Sequence, residues 1–134
     1  MEKQHMTRAV QGADINVDGV LFGGALLSWM DELAGIAGRR FAKGTVVTVA
    51  VEGVSFLKPV SLGAFVDLEA QVASVGTTSM RIALEAWAED PAGRRELAAK
   101  GTFVFVCVDA EGKPRKIGGT EGSGFQAELP VVQS

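Results

Sequence analysis

Two features between Leu21 and Gly35, LFGGALLSWMDELAG, could do chemistry. Asp31 is a carboxylate inside a run of core-type side chains, a residue type that serves as general base or nucleophile. Gly23 and Gly24 stand at the start of the same run. The first N–H groups of a helix have no internal partners, and glycine lets an acceptor approach them, so this end can polarise a carbonyl or hold an anion. Other chemistries are poorly served. The chain has no tyrosine, no G-x-S-x-G elbow, no G-x-x-x-x-G-K-[ST] loop and no H-E-x-x-H, and its one histidine, His5, lies near the N-terminus. Cys107, the single cysteine, falls in an apolar run where a thiol behaves as an inert hydrophobe, and alone it builds neither a disulfide nor a cysteine cluster. No metal site is expected. If the protein is an enzyme, a carboxylate or the backbone must do the work.

The element that positions Asp31 is an amphipathic helix. Stepping about 100° per residue, Leu26, Leu27, Met30, Ala34, Ala37 and Phe41 fall on one apolar arc, with Ser28, Glu32 and Arg39 opposite. The spacing predicts a helix from Gly23 to Ala42, with Gly44 as its stop. Asp31 sits about 40° beyond Leu27 at the edge of this arc, with Gly35 and Gly38 one and two turns on. Glycine inside a helix costs roughly 1 kcal/mol relative to alanine. Either these glycines leave room for something to reach Asp31, or they let the helix press against a sheet while Asp31 points to water. Helix geometry leaves both readings open.

After the helix the period changes to two. TVVTVAVEGVSFL alternates until Gly53, where an isolated glycine marks a bulge. FVDLEAQVASV places Val66, Leu68, Ala70 and Val72 on one face, and SMRIALEAWAED places Met80, Ile82 and Leu84 inward. The run from Phe103 to Val108 reads as a central strand covered on both faces. With a short strand at Met6 to Val10, the order is β, α, then four β: an α+β domain with an antiparallel sheet on one long helix.

A length of 134 residues allows one domain, read here as 1–117, followed by a loosely ordered Gly- and Ser-rich tail over 118–134. The charge of -3 carries no basic footprint for nucleic acid, no apolar stretch has the length of a membrane span, and the lone cysteine suits a reducing, cytoplasmic setting.

The ordered set Asn16, Gly23-Gly24, Met30-Asp31 and FLKPV, continuing through FVFVCVDAEGKPRK, resembles the hotdog-fold acyl-CoA thioesterases of the YciA-like and cytosolic acyl-CoA hydrolase group. The resemblance covers most of Met6 to Lys116. It implies a long helix wrapped by a five-stranded, or six-stranded, antiparallel sheet. It also implies side-by-side joining of two chains and a hexamer built as a trimer of dimers. Asp31 then corresponds to the family's catalytic aspartate and Asn16 to its catalytic asparagine, meeting across the dimer interface, while Gly24 with Gly23 holds the thioester carbonyl. Phe22, where some members have histidine, lines the acyl tunnel or the core. Phe56, Lys58, Thr77, Thr78, Ser79, Lys113 and Arg115 are the implied substrate contacts, the lysines and arginine toward the nucleotide and phosphates of coenzyme A. No cofactor is implied beyond coenzyme A as part of the substrate. Two rivals remain: a hotdog dehydratase, which needs a histidine that His5 is badly placed to supply, and a non-catalytic acyl-CoA sensor. Sensors of that type carry a DNA-binding helix-turn-helix, for which this chain has no spare length.

Overall fold

The structure is a computed structural model that describes residues 2–117; the expected tail lies outside the described residues. The chain forms β1 (Gln4–Ala9), a 3-10 turn (Gly12–Asp14), α1 (Gly23–Ala42), β2 (Val46–Phe56), β3 (Phe65–Val75), β4 (Ser79–Glu89) and β5 (Arg95–Cys107). The strands make one antiparallel sheet in the order β1-β3-β4-β5-β2. After β1 at one edge the chain passes through α1 to β2 at the far edge, and three further strands fill the space between. The architecture is the expected α+β one, with five strands among the described residues.

The sheet wraps α1, which packs against all five strands. The buried stripe is therefore wider than the sequence arc: Trp29, Leu33, Gly38 and Ala42 join Leu26, Met30, Ala34 and Ala37, while Leu27 and Phe41 are only partly buried. On the sheet, Val66, Leu68, Ala70 and Val72 of β3 and Met80, Ile82, Leu84 and Ala86 of β4 face the helix. In β5 every residue from Phe103 to Cys107 is at most 3% exposed, as expected for a strand covered on both faces.

The helix stop differs from expectation. Lys43, not Gly44, adopts the left-handed conformation (φ 55°) and donates its N–H to the Arg39 carbonyl at 2.8 Å. Gly44 instead lies against the guanidinium of Arg115, which a side chain at this position would displace. In β2, the pairing with β5 shifts at Gly53 (φ 59°), the expected bulge, and again between Thr48 and Ala50. The second shift lies opposite Asp31 on the edge of the sheet. Among the described residues no helix is long and apolar enough to cross a membrane.

Candidate active site

Asp31 is half-buried where α1 meets the edge strand β2. Its Oδ1 accepts a hydrogen bond from Thr48 Oγ1 at 2.8 Å, and Oδ2 has no partner among the described residues. One oxygen is thus fixed by a donor on a different element, and the other retains its lone pairs for an incoming proton. Thr48 is the residue that reading the sequence missed. Its one local mark is a hydroxyl in a strand otherwise dominated by valine.

The two glycines near Asp31 serve different ends. An added Cβ at Gly38 would lie 3.3 Å from Ile82 Cδ1 and 3.4 Å from Val46 Cγ2, so this glycine lets helix and sheet close. At Gly35 a Cβ would meet only the Phe105 ring, at 3.8 Å, leaving the space beside Asp31 open.

Asn16 occupies a locked turn. Its Oδ1 accepts from the N–H of Asp18 at 2.9 Å and of Val20 at 3.3 Å. Its own N–H donates to Val20 O at 2.9 Å, and Gly19 N–H donates to Asn16 O at 3.0 Å. Gly19 supplies the positive φ of 80°. With the carbonyl end of the amide used by the turn, the exposed Nδ2 is left as an outward donor. The bridge from Ile15 to Leu21 ties the turn to the start of α1, and the bridge from Val20 to Ser61 ties it to the segment between β2 and β3. Within one chain no hydrogen bond joins Asn16 to Asp31.

At the start of α1, Phe22 O accepts from Ala25 N at 3.0 Å and Leu26 N at 3.1 Å, leaving the N–H groups of Gly23 and Gly24 without partners among the described residues. Gly23 borders a cleft of 260 Å³ with Leu21, Leu26 and Val60 among its apolar lining and Phe56 and Lys58 beside them. A Cβ at Gly24 would lie 2.6 Å from Phe22 Cε2, so this glycine seats the Phe22 ring. That ring is 57% exposed and forms no part of the core, which removes one of the two places expected for it.

The remaining expected contacts fall into two groups. Phe56 and Lys58 share the cleft with Gly23. Thr77 and Thr78 lie in the turn between β3 and β4, where Thr77 O accepts from Ile117 N at 3.1 Å. Lys113 and Arg115 follow β5, with Arg115 Nε donating to Val108 O at 3.2 Å and its guanidinium against Gly44. This second group sits at the C-terminal end of a helix of 20 residues, about 30 Å long, and one chain does not bring it to the cleft at Gly23. Ser79 lies opposite Val106 in the sheet and is 2% exposed in the single chain, so it shows no open surface there. Burial pushes the Cys107 thiol above its ordinary pKa, against a smaller opposing pull from Arg115. His5 is exposed on β1. Among the described residues no group of three or more His, Cys, Asp or Glu side chains comes together.

Comparison with known proteins agrees with this geometry. The profile of the thioesterase superfamily matches residues 18–93. The acyl-CoA thioester hydrolase YciA of Salmonella typhimurium is 44% identical over 109 residues, covering 78% of this chain and 82% of that protein. An acyl-CoA hydrolase from Staphylococcus aureus, solved with butyryl coenzyme A and coenzyme A, superposes with a TM-score of 0.81 at 35% identity, covering 85% of this chain and 70% of that one. The hexameric thioesterase from Yersinia pestis gives a TM-score of 0.80 at 40% identity, covering 83% and 91%. A long helix wrapped by five antiparallel strands, shared with these enzymes along with much of their sequence, is the hotdog architecture, and the chain belongs to the thioesterase superfamily.

Proposed function

We propose that the chain hydrolyses acyl-CoA thioesters to a free carboxylic acid and coenzyme A, with Asp31 as general base in a site shared between two copies. The observation that carries this reading is the Asp31 carboxylate, held on one oxygen by Thr48 at 2.8 Å and open on the other. The staphylococcal hydrolase supports it: that enzyme has been solved as separate alanine variants of an asparagine, an aspartate and a threonine. These three are separated by the same intervals as Asn16, Asp31 and Thr48.

Asp31 Oδ2 takes a proton from a water molecule, and the water oxygen attacks the thioester carbonyl carbon. The developing oxyanion needs donors about 3 Å away. Gly24 precedes Asp31 by seven residues, about 10 Å along the helix axis, too far for both to serve one carbonyl from the same chain. The donors beside Asp31 are therefore the N–H groups of the partner's Gly23 and the partner's Gly24, with Nδ2 of the partner's Asn16 orienting water or carbonyl. Asn16 and the glycine pair travel together because the bridge from Ile15 to Leu21 joins them. Collapse of the tetrahedral intermediate expels the coenzyme A thiolate. A thiol has a pKa of about 8.5 against about 16 for water, so no general acid is required. The chain uses no further cofactor and acts in the cytoplasm.

The shared site requires two chains to meet along β2. Val47, Val49 and Val51 are 43%, 47% and 44% exposed on that edge strand, and an apolar free edge calls for a partner. Following the Yersinia enzyme, the dimers assemble as a hexamer. Lys58 beside the cleft, and Thr77, Thr78, Lys113 and Arg115 at the other end of α1, contact the nucleotide and phosphates.

Thiol release from a panel of acyl-CoAs tests the reading. Asp31→Ala lowers turnover about 100-fold or more, the range of a lost general base, while the oligomer mass is unchanged. Undiminished turnover in this variant contradicts the mechanism. Tight acyl-CoA binding by the wild type without thiol release would establish the sensor reading instead.

A further inference from the structure

Val17 is 101% exposed, fully open to solvent among the described residues, whereas the other exposed large apolar side chains lie between 36% and 57%. It is not on a loose segment. The turn that carries it is pinned by both hydrogen bonds to Asn16 Oδ1, by the two backbone bonds between Asn16 and Gly19–Val20, and by the bridge from Val20 to Ser61. The turn thus presents a donor amide and, one residue on, a rigid β-branched knob. Consecutive Cα atoms are about 3.8 Å apart, so a surface that receives Asn16 comes within reach of Val17.

The surface around Asp31 suits such a pair. Leu27 and Gly35 lie one turn before and after it, about 6 Å along the axis, on the same strip of α1. Both are half-buried, and the space over Gly35 is open on the side away from Phe105. We propose that Val17 is a positioning residue that seats the Asn16 turn on α1 of a second copy of this chain, beside the partner subunit's Asp31. This rests on the shared-site reading above, and it adds what holds the partner's Asn16 at its distance.

The test uses Val17→Ser and Val17→Ile in the full chain. Val17→Ser lowers kcat about tenfold, the scale of a small misplacement, with KM within twofold and the oligomer mass unchanged, and Val17→Ile restores kcat. A loss spread equally over both parameters, or none at all, overturns the proposal. Placement within mixed oligomers gives a second readout. Asn16→Ala and Asp31→Ala chains are co-expressed, so that the active site forms from Asn16 of the Asp31→Ala chain. Val17→Ser on that chain cuts the recovered activity about tenfold, and on the Asn16→Ala chain it leaves the recovery unaltered. Equal effects in both placements overturn the role of Val17. An absence of recovery in the parent mixture overturns the shared site itself, and so separates the two failures.

Discussion

Thr48→Val removes one hydroxyl and leaves a β-branched side chain of nearly the same shape. In the folded chain it deletes the 2.8 Å hydrogen bond that joins β2 to Asp31 across 17 residues of sequence. A hydrogen bond to a charged acceptor is worth about 1.5–3 kcal/mol when water cannot replace it. Thr48 is exposed and Asp31 half-exposed in the free chain, where water replaces the lost donor, so the loss of folding stability is about 0.5–1 kcal/mol. On the proposed reading substrate excludes water from the site, and the full value applies to holding the carboxylate in its productive orientation. At 1.36 kcal/mol per factor of ten, that corresponds to a fall in kcat of about 10- to 150-fold. KM changes little, because Thr48 touches the base and not the thioester. Thr48→Ser returns the hydroxyl and most of the rate. The assay pairs thiol release from acyl-CoA with a thermal melt, in which the midpoint moves by only a few degrees. A kcat within twofold of wild type, or a melt that falls as steeply as the rate, would refute the assignment.

Two other perturbations probe the glycine pair and the buried thiol. Gly24→Ala puts a methyl 2.6 Å from the Phe22 ring, an exposed neighbour with room to turn away, so folding stability stays within about 1 kcal/mol while the Phe22 ring is displaced and turnover drops; unaltered kcat would remove Gly24 from the site. Cys107 is buried with its pKa raised, so iodoacetamide labels it at pH 8 only after unfolding, and rapid labelling of the native protein would contradict its burial. A folded-state pKa above the unfolded one means that the native state holds the proton more tightly. This contribution to stability is therefore complete below the ordinary thiol pKa and is lost as pH rises through the higher folded value.

Much of this was legible in local sequence, and the remainder depends on contacts that no local pattern encodes. The helix from Gly23 to Ala42 and the alternation in β3 and β4 follow from residue spacing, because burial on one face imposes a period. The bulge at Gly53 is marked by its glycine; the one between Thr48 and Ala50 has no such mark. The placing of β1 and β2 at opposite edges is a long-range choice with no sequence mark in either strand. A glycine at position 44 predicts a helix stop because glycine commonly takes the left-handed position, yet Lys43 takes it, and Gly44 lies against Arg115 from far along the chain. Thr48 carries no local signal for the same reason. Its significance comes from a helix and an edge strand brought together in space, and nothing beside it in sequence is charged enough to announce a partner.

Complementation between two inactive variants tests most directly whether the site is shared. Asn16→Ala and Asp31→Ala chains, each inactive alone, are co-expressed in equal amounts, purified as mixed oligomers and assayed for thiol release from acyl-CoA. Half of randomly formed dimers are hybrid and each hybrid holds one intact site of two, so about a quarter of the wild-type rate returns. A mixture that forms hybrid dimers, verified by mass, and shows no more activity than its parents would contradict a site built from Asp31 of one chain and the partner's Asn16.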